Sequence, residues 1–155
     1  MIGITISVVL LIIIFFLERE IEKYYSSLEV RDLLIPTTSF IKAVLLDLEN
    51  RFPSQKPYSF EVKYYHNKSV MGRYYFNNNT MEIYLTKSTK LIELTDTITH
   101  EYCHHLQNHS GKQVIKSALK LYESEYDHHP WEVEAREFAS RVSLKILKKI
   151  KIIYR

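Results

Sequence analysis

The run IGITISVVLLIIIFFL, residues 2–17, narrows the folds open to this chain more than any other stretch. Nothing in it is more polar than Thr5 and Ser7, and helical periodicity is absent. A helix apolar on every side belongs in a bilayer or a deep core, and a chain of 155 residues has no core able to surround one. Such a run rises about 24 Å, short of the roughly 30 Å of bilayer hydrocarbon, so a span here borrows flanking residues or sits in a thinned membrane. A cleaved signal peptide would show a basic residue before the apolar run and an A-x-A site after it, and neither is present. The expectation is a single-pass transmembrane anchor over 1–18. Arg19 and Lys23 follow it directly, which by the positive-inside tendency holds the remainder in the cytoplasm.

The remainder has room for one domain with a modest core. A net charge of +3, scattered along the chain, does not suit nucleic acid, and a lone Cys103 excludes an internal disulfide. Residues 19–36 read as a polar stem or linker ending at Pro36, and 37–155 as the folded domain. Thr37, Thr38 or Ser39 offers an N-cap to a helix with Phe40, Ile41, Val44, Leu45 and Leu48 at helical spacing, stopped by Pro53. Alternation predicts strands over 58–65, 69–76 and 80–85, read as three antiparallel strands, with the asparagines at 77–79 tolerating left-handed backbone angles in the hairpin turn. From Ser88 the pattern is helical up to Gly111, a further helix covers about 112–123, and Pro130 fits the first turn of a last helix, PWEVEAREFASRVSLKILKKI.

His100-Glu101-Tyr102-Cys103-His104 is an H-E-x-x-H, in a chain with seven histidines. Spacing i, i+4 brings two imidazoles to one side of a helix, where both can bind one tetrahedral Zn²⁺, while the glutamate beside the first reaches a water on the metal and not the metal itself. Zinc lowers that water's pKa to about 7, and the carboxylate takes its proton as it attacks a carbonyl. Structural zinc sites fill four positions, commonly with cysteines; a chain with one cysteine favours a catalytic site with three ligands. The metzincin continuation is excluded, because His109 falls five residues beyond His104 and no glycine precedes it. The third ligand is sought in HHPWEVEAREFA, 128–139, where Glu134 precedes small Ala135; Glu132, Glu137, His128 and His129 are its rivals.

The pairing of an H-E-x-x-H helix with a downstream E-x-E-A-x-x-F-A helix resembles the ImmA/IrrE-type metallopeptidases, minimal gluzincins. The resemblance covers about residues 37–145. It implies that His100, His104 and Glu134 bind zinc and that Glu101 is the general base. It also implies a small α+β, zincin-like fold: a helix, a short antiparallel sheet whose edge lines the cleft, the active-site helix and the glutamate helix.

Other residues take plainer readings. Leu91, Leu94, Thr95, Ile98, Tyr102 and His105 share one helical sector, with His100 and His104 opposite, so His105 and His109 are read as structural and Cys103 as packing. Tyr102, Tyr122, Tyr126, His128 or His129 could donate to an oxyanion. The strand pair 69–85 could take up an extended peptide at its edge. LKILKKIKIIYR suits a solvated helix end or a segment lying on an anionic leaflet. The expected function is a membrane-anchored zinc peptidase acting on a protein or peptide substrate. Its alternative is a catalytically silent zincin-like module at the membrane, which has no need of Glu101.

Overall fold

The computed structural model describes residues 2–64, 71–86, 88–109 and 129–150, with side chains from Leu10 onward. Its elements are α1 (Ile2–Ser27), a 3-10 turn (Val30–Asp32), α2 (Thr37–Arg51), β1 (Ser59–Tyr64), β2 (Gly72–Tyr75), β3 (Thr80–Leu85), α3 (Leu91–His109) and α4 (Pro130–Lys149). This is a mixed α+β arrangement of helices on a three-stranded sheet. The expected helix over 112–123 and its neighbour Gly111 lie outside the described residues.

Among the described residues no helix is long and apolar enough to cross a membrane. The described part of α1 joins the apolar residues Leu10–Leu17 to a half that carries Glu18, Arg19, Glu20, Glu22 and Lys23. The transmembrane helix expected over 1–18 is not among the helices so described. The boundaries drawn from sequence also shift. The helix runs unbroken to Ser27, and Leu28 and Val30 are buried members of the core, 6% and 9% exposed. Val30 N–H donates to Thr89 O and Leu91 N–H to Leu28 O, both at 2.8 Å, around a bridge between Glu29 and Lys90. Thus 19–36 is no loose linker: its second half is part of the domain.

Helix α2 starts at Thr37, so that Pro36 and not one of the expected hydroxyl residues stands at its N-cap. The Pro36 carbonyl accepts from Ser39 and Phe40 N–H, and the helix ends one residue before Phe52, ahead of Pro53. Its buried face, Phe40, Ile41, Val44, Leu45 and Leu48, is the one the spacing indicated.

The sheet departs from the antiparallel expectation. Its order is β1-β3-β2; β2 and β3 form the antiparallel hairpin, but β1 lies parallel to β3, with Phe60 opposite Met81 and Val62 opposite Ile83. β3 takes the central place: its residues are all buried and its backbone is paired on both sides. Met81, Ile83 and Leu85 enter the core. On the other face Glu82 takes an ion pair from Lys63 of β1 and hydroxyls from Tyr75 of β2 and Tyr84, which hold its carboxyl well down, at about 2. Asn79 has φ 55°, so an asparagine does supply the left-handed turn residue.

Helix α3 runs through the middle of the domain. Leu91, Leu94, Thr95, Ile98, Tyr102 and His105 are fully buried against α2 and the sheet, as the helical sector implied. Its opposite side is also covered, because α4 packs along it more extensively than any other pair of elements. Ala135, Ala139 and Ser143 of α4 and Thr95, Thr99 and Cys103 of α3 are all buried. Small residues at i, i+4 and i+8 on both helices let their axes approach closely. Near the end of α4, Ile146 and Leu147 join the core and Lys149 pairs with Asp47 at 2.5 Å. The described part of the basic C-terminal stretch is thus core and helix end; residues 151–155 lie outside the described residues.

Candidate metal centre

Helix α3 places the two motif histidines one turn apart, with ring centroids 4.7 Å from each other. β-Branched Thr95 and Thr99 lie in the turns before them and send their hydroxyls back to the carbonyls of Leu91 and Thr95, both at 2.7 Å, so neither leaves a buried polar group unpaired. Helix α4 begins with His129 at the N-cap, where its Nδ1 accepts from Trp131 N–H, and with Pro130 in the first turn. That start sets Glu132 in the first turn, where the helix dipole favours a carboxylate.

The carboxylate that reaches the histidines is Glu132. Its Oε2 lies 3.2 Å from His100 Nε2 and its Oε1 3.2 Å from His104 Nε2, while the two Nε2 atoms are 3.0 Å apart. Ligands at about 2.0–2.2 Å from a tetrahedral metal are separated by roughly 3.3 Å, so each of these separations is of the size two ligands of one ion have; a different carboxylate oxygen faces each imidazole, and one ligand atom from each of the three residues lies within 4.8 Å of the others. Among the described residues this is the one group of three that could hold a metal ion. Glu134, expected as the ligand, instead accepts from Gln107 Nε2 at 3.0 Å. The reason is helical geometry: residues two apart point about 200° away from each other, so Glu132 and Glu134 cannot both face α3 in the same way. Ala135, three residues beyond Glu132 and fully buried, lies on the side of Glu132 and clears the approach. Glu137 is exposed, and His129 is occupied at the N-cap. His128, Tyr122 and Tyr126 lie outside the described residues.

Glu101 stands beside the cluster without joining it. It is 5% exposed, and burial raises its carboxyl above the ordinary range, against the pull of the imidazoles of His104 and His100 and of the Tyr74 backbone N–H that donates to it. Pairing of Tyr84 N–H with Met71 O makes residues 71 and 84 a hydrogen-bonded pair of the hairpin, so the N–H groups of Gly72 and Tyr74 point outward from the free edge of β2. Glu101 lies on that edge. A Cβ on Gly72 would fall 2.6 Å from Thr97 Cγ2 and 2.8 Å from Glu101 Oε1, so the strand approaches α3 this closely only with glycine.

For His104, burial disfavours charge, but its contact with Glu132 and the nearby Glu101 outweigh burial and raise its pKa. Its other nitrogen, Nδ1, meets Gln107 Oε1 at 2.8 Å, and Gln107 Nε2 donates to Trp131 O at 3.1 Å. Phe76, in the β2–β3 turn, packs against both the His104 ring and the Trp131 ring. Gln107, Gly72, Tyr74 and Trp131 were not singled out from the sequence. Only Gln107 carried a readable signal, being i+3 from His104 and hence on its side of the helix.

The remaining expectations resolve simply. His105 is fully buried; Ser54 Oγ lies 2.7 Å from its Nε2 and Tyr74 OH 3.1 Å from its Nδ1, and burial lowers its pKa to about 4. His109 Nε2 meets Asn79 Oδ1 at 3.0 Å. Both tie α3 to its surroundings, as a structural pair would. Tyr102 donates its hydroxyl to Phe52 O at 2.7 Å, and its ring is fully buried, so it is committed to the core and not to an oxyanion. Cys103 is buried, 5% exposed.

Compared with protein-family models, with curated proteins and with solved structures, the chain gives no match in any of the three.

Proposed function

We propose that this chain is a zinc-dependent peptidase of the ImmA/IrrE type, anchored to a membrane by α1, that hydrolyses a peptide bond in a protein substrate. One observation carries the reading. His100, His104 and Glu132 converge from two helices with ligand atoms within 4.8 Å of one another, while a buried carboxylate, Glu101, lies beside that cluster and outside it. Two imidazoles and one carboxylate form a donor set suited to zinc that leaves a coordination position for substrate or solvent. A zinc ion there would act as a Lewis acid, activating water and polarising the scissile carbonyl.

The chain's own residues supply the proton chemistry. Glu101, its carboxylate held by Tyr74 N–H, accepts a proton from the attacking water as the new C–O bond forms, and returns it to the amine nitrogen as the C–N bond breaks. Its raised pKa makes the return easier. Anchoring is supported by Leu10–Leu17, consecutive apolar side chains 44–65% exposed. They surround the helix, so another protein's helix would cover only one stripe of them, whereas lipid covers all. Arg19 and Lys23 favour a cytoplasmic domain.

The test is metal and peptide-hydrolysis analysis of the full-length protein in detergent. About one zinc per chain is expected; Glu132→Ala loses it and Glu134→Ala keeps it. Glu101→Gln is expected to retain zinc and lose hydrolysis by about 10²-fold or more, and the wild-type acid limb is expected above the ordinary carboxylate range. Zinc bound without cleavage of any peptide in a diverse library would favour the silent module, and absence of zinc binding would overturn the centre itself.

A further inference from the structure

We propose that Gln107 is a positioning residue that fixes His104 as its Nδ1–H tautomer, and that Glu134 serves the centre by holding Gln107, not by binding metal. The argument starts from a main-chain carbonyl. Trp131 O can only accept, and so can an ionised Glu134 carboxylate; the end of the Gln107 amide that lies 3.1 Å from the one and 3.0 Å from the other must be its NH₂. The opposite end, Oε1, then faces His104 Nδ1 at 2.8 Å, and an amide oxygen there requires a proton on Nδ1. A neutral imidazole with hydrogen on Nδ1 carries its lone pair on Nε2, the atom that faces His100 and Glu132. Gln107 is 4% exposed and His104 5%, so water does not compete for these bonds as it would at a surface.

The same amide binds the two helices together. Trp131 O belongs to the peptide unit that leads into Glu132, so the side chain that orients the second histidine also holds the backbone that delivers the carboxylate. One residue thereby sets two ligands from two helices. This gives Glu134 a role without placing it in the ligand set, and it rests on the metal centre proposed above only for its consequence in affinity.

The test reads the tautomer directly, in metal-free full-length protein, from the side-chain ¹⁵N shifts of His104, and zinc affinity by competition with a chelator. Wild type is expected to show a protonated Nδ1, whether or not Nε2, which faces the Glu132 carboxylate in the metal-free protein, also carries a proton. Gln107→Leu is expected to mix the tautomers and weaken zinc binding by about 10–100-fold, as loss of an outer-sphere partner does. Gln107→Glu with Glu134→Gln keeps an oxygen toward Nδ1 but leaves Trp131 O without its donor, and is expected to restore the single tautomer without restoring the wild-type affinity. That rescue would not follow from packing alone, and it keeps the proposal falsifiable where Gln107→Leu fails to fold. A wild-type His104 without a proton on Nδ1, or an unchanged protonation of Nδ1 in folded Gln107→Leu, overturns the inference. The expected tautomers with no zinc binding would instead overturn the metal centre and leave this assignment standing.

Discussion

Gly72 shows how a residue without a side chain can set the chemistry of one that has one. Edge strand β2 comes so close to α3 that any Cβ at this position would press on Thr97 and on the Glu101 carboxylate. Thr97 is β-branched with few rotamers, so Glu101 is the side chain that must give way. Gly72→Ala is therefore expected to lower peptide hydrolysis by about tenfold or more, because a displaced base loses its geometry, and to cost about 1–3 kcal/mol in denaturant unfolding from overpacking. Zinc content should stay at wild-type level, since Gly72 touches no ligand; loss of zinc in this variant would mean that the strand supports the histidines as well. At this scale the sequence was informative where spacing alone decides: i, i+4 fixes His100 and His104 on one side of any helix. It could not choose between Glu132 and Glu134, because that choice depends on the rotation of α4 about its own axis, which is set by contacts distant in sequence.

Helix α4 obtains that rotation from its small residues. Ala135 and Ala139 are fully buried where α4 lies along α3, and a larger side chain has no room without moving the helix axis. Ala139→Leu is expected to destabilise the fold by about 1–3 kcal/mol and to weaken zinc binding, although it lies two turns from Glu132, because the displaced helix carries the third ligand with it. Ser140→Leu, on the exposed side of the same turn, is the control and should leave zinc affinity within about twofold, as surface substitutions usually do. Equal affinity in both variants would separate helix docking from the metal centre. The helices and strands were legible as elements because apolar periodicity encodes the face each one buries. Their pairing was not: alternation in β1 says which side of a sheet its residues occupy but nothing about its neighbour or direction, and the expected antiparallel strand lies parallel to β3.

For the whole molecule, the folded domain does not begin at Pro36, because Leu28 and Val30 already belong to its core. Burial of Leu28 and Val30 contributes about 1.5–3 kcal/mol each, roughly 3–6 kcal/mol together, against a total stability of about 5–15 kcal/mol for a domain of this kind. Partly buried Tyr25 packs against the same core. Removing residues 1–35 is therefore expected to leave a domain that unfolds at much lower denaturant or does not accumulate as a folded species. Removing only 1–22 takes away the exposed apolar turns and the 3.8 Å surface pair of Glu22 with Lys148, a contact worth at most about 1 kcal/mol. That shorter truncation should keep its unfolding midpoint and its zinc while losing flotation with phosphatidylcholine vesicles, which the full chain should show. If the protein beginning at Lys23 still floats, the apolar half of α1 is not what meets lipid, and anchoring must be sought elsewhere. If the protein beginning at Pro36 is as stable as the full chain, Leu28 and Val30 contribute nothing to the core, and the stem is an appendage after all. The two truncations together decide whether α1 is joined to the domain by a free stem or, as the burial of Leu28 and Val30 directly after it argues, leads straight into the core.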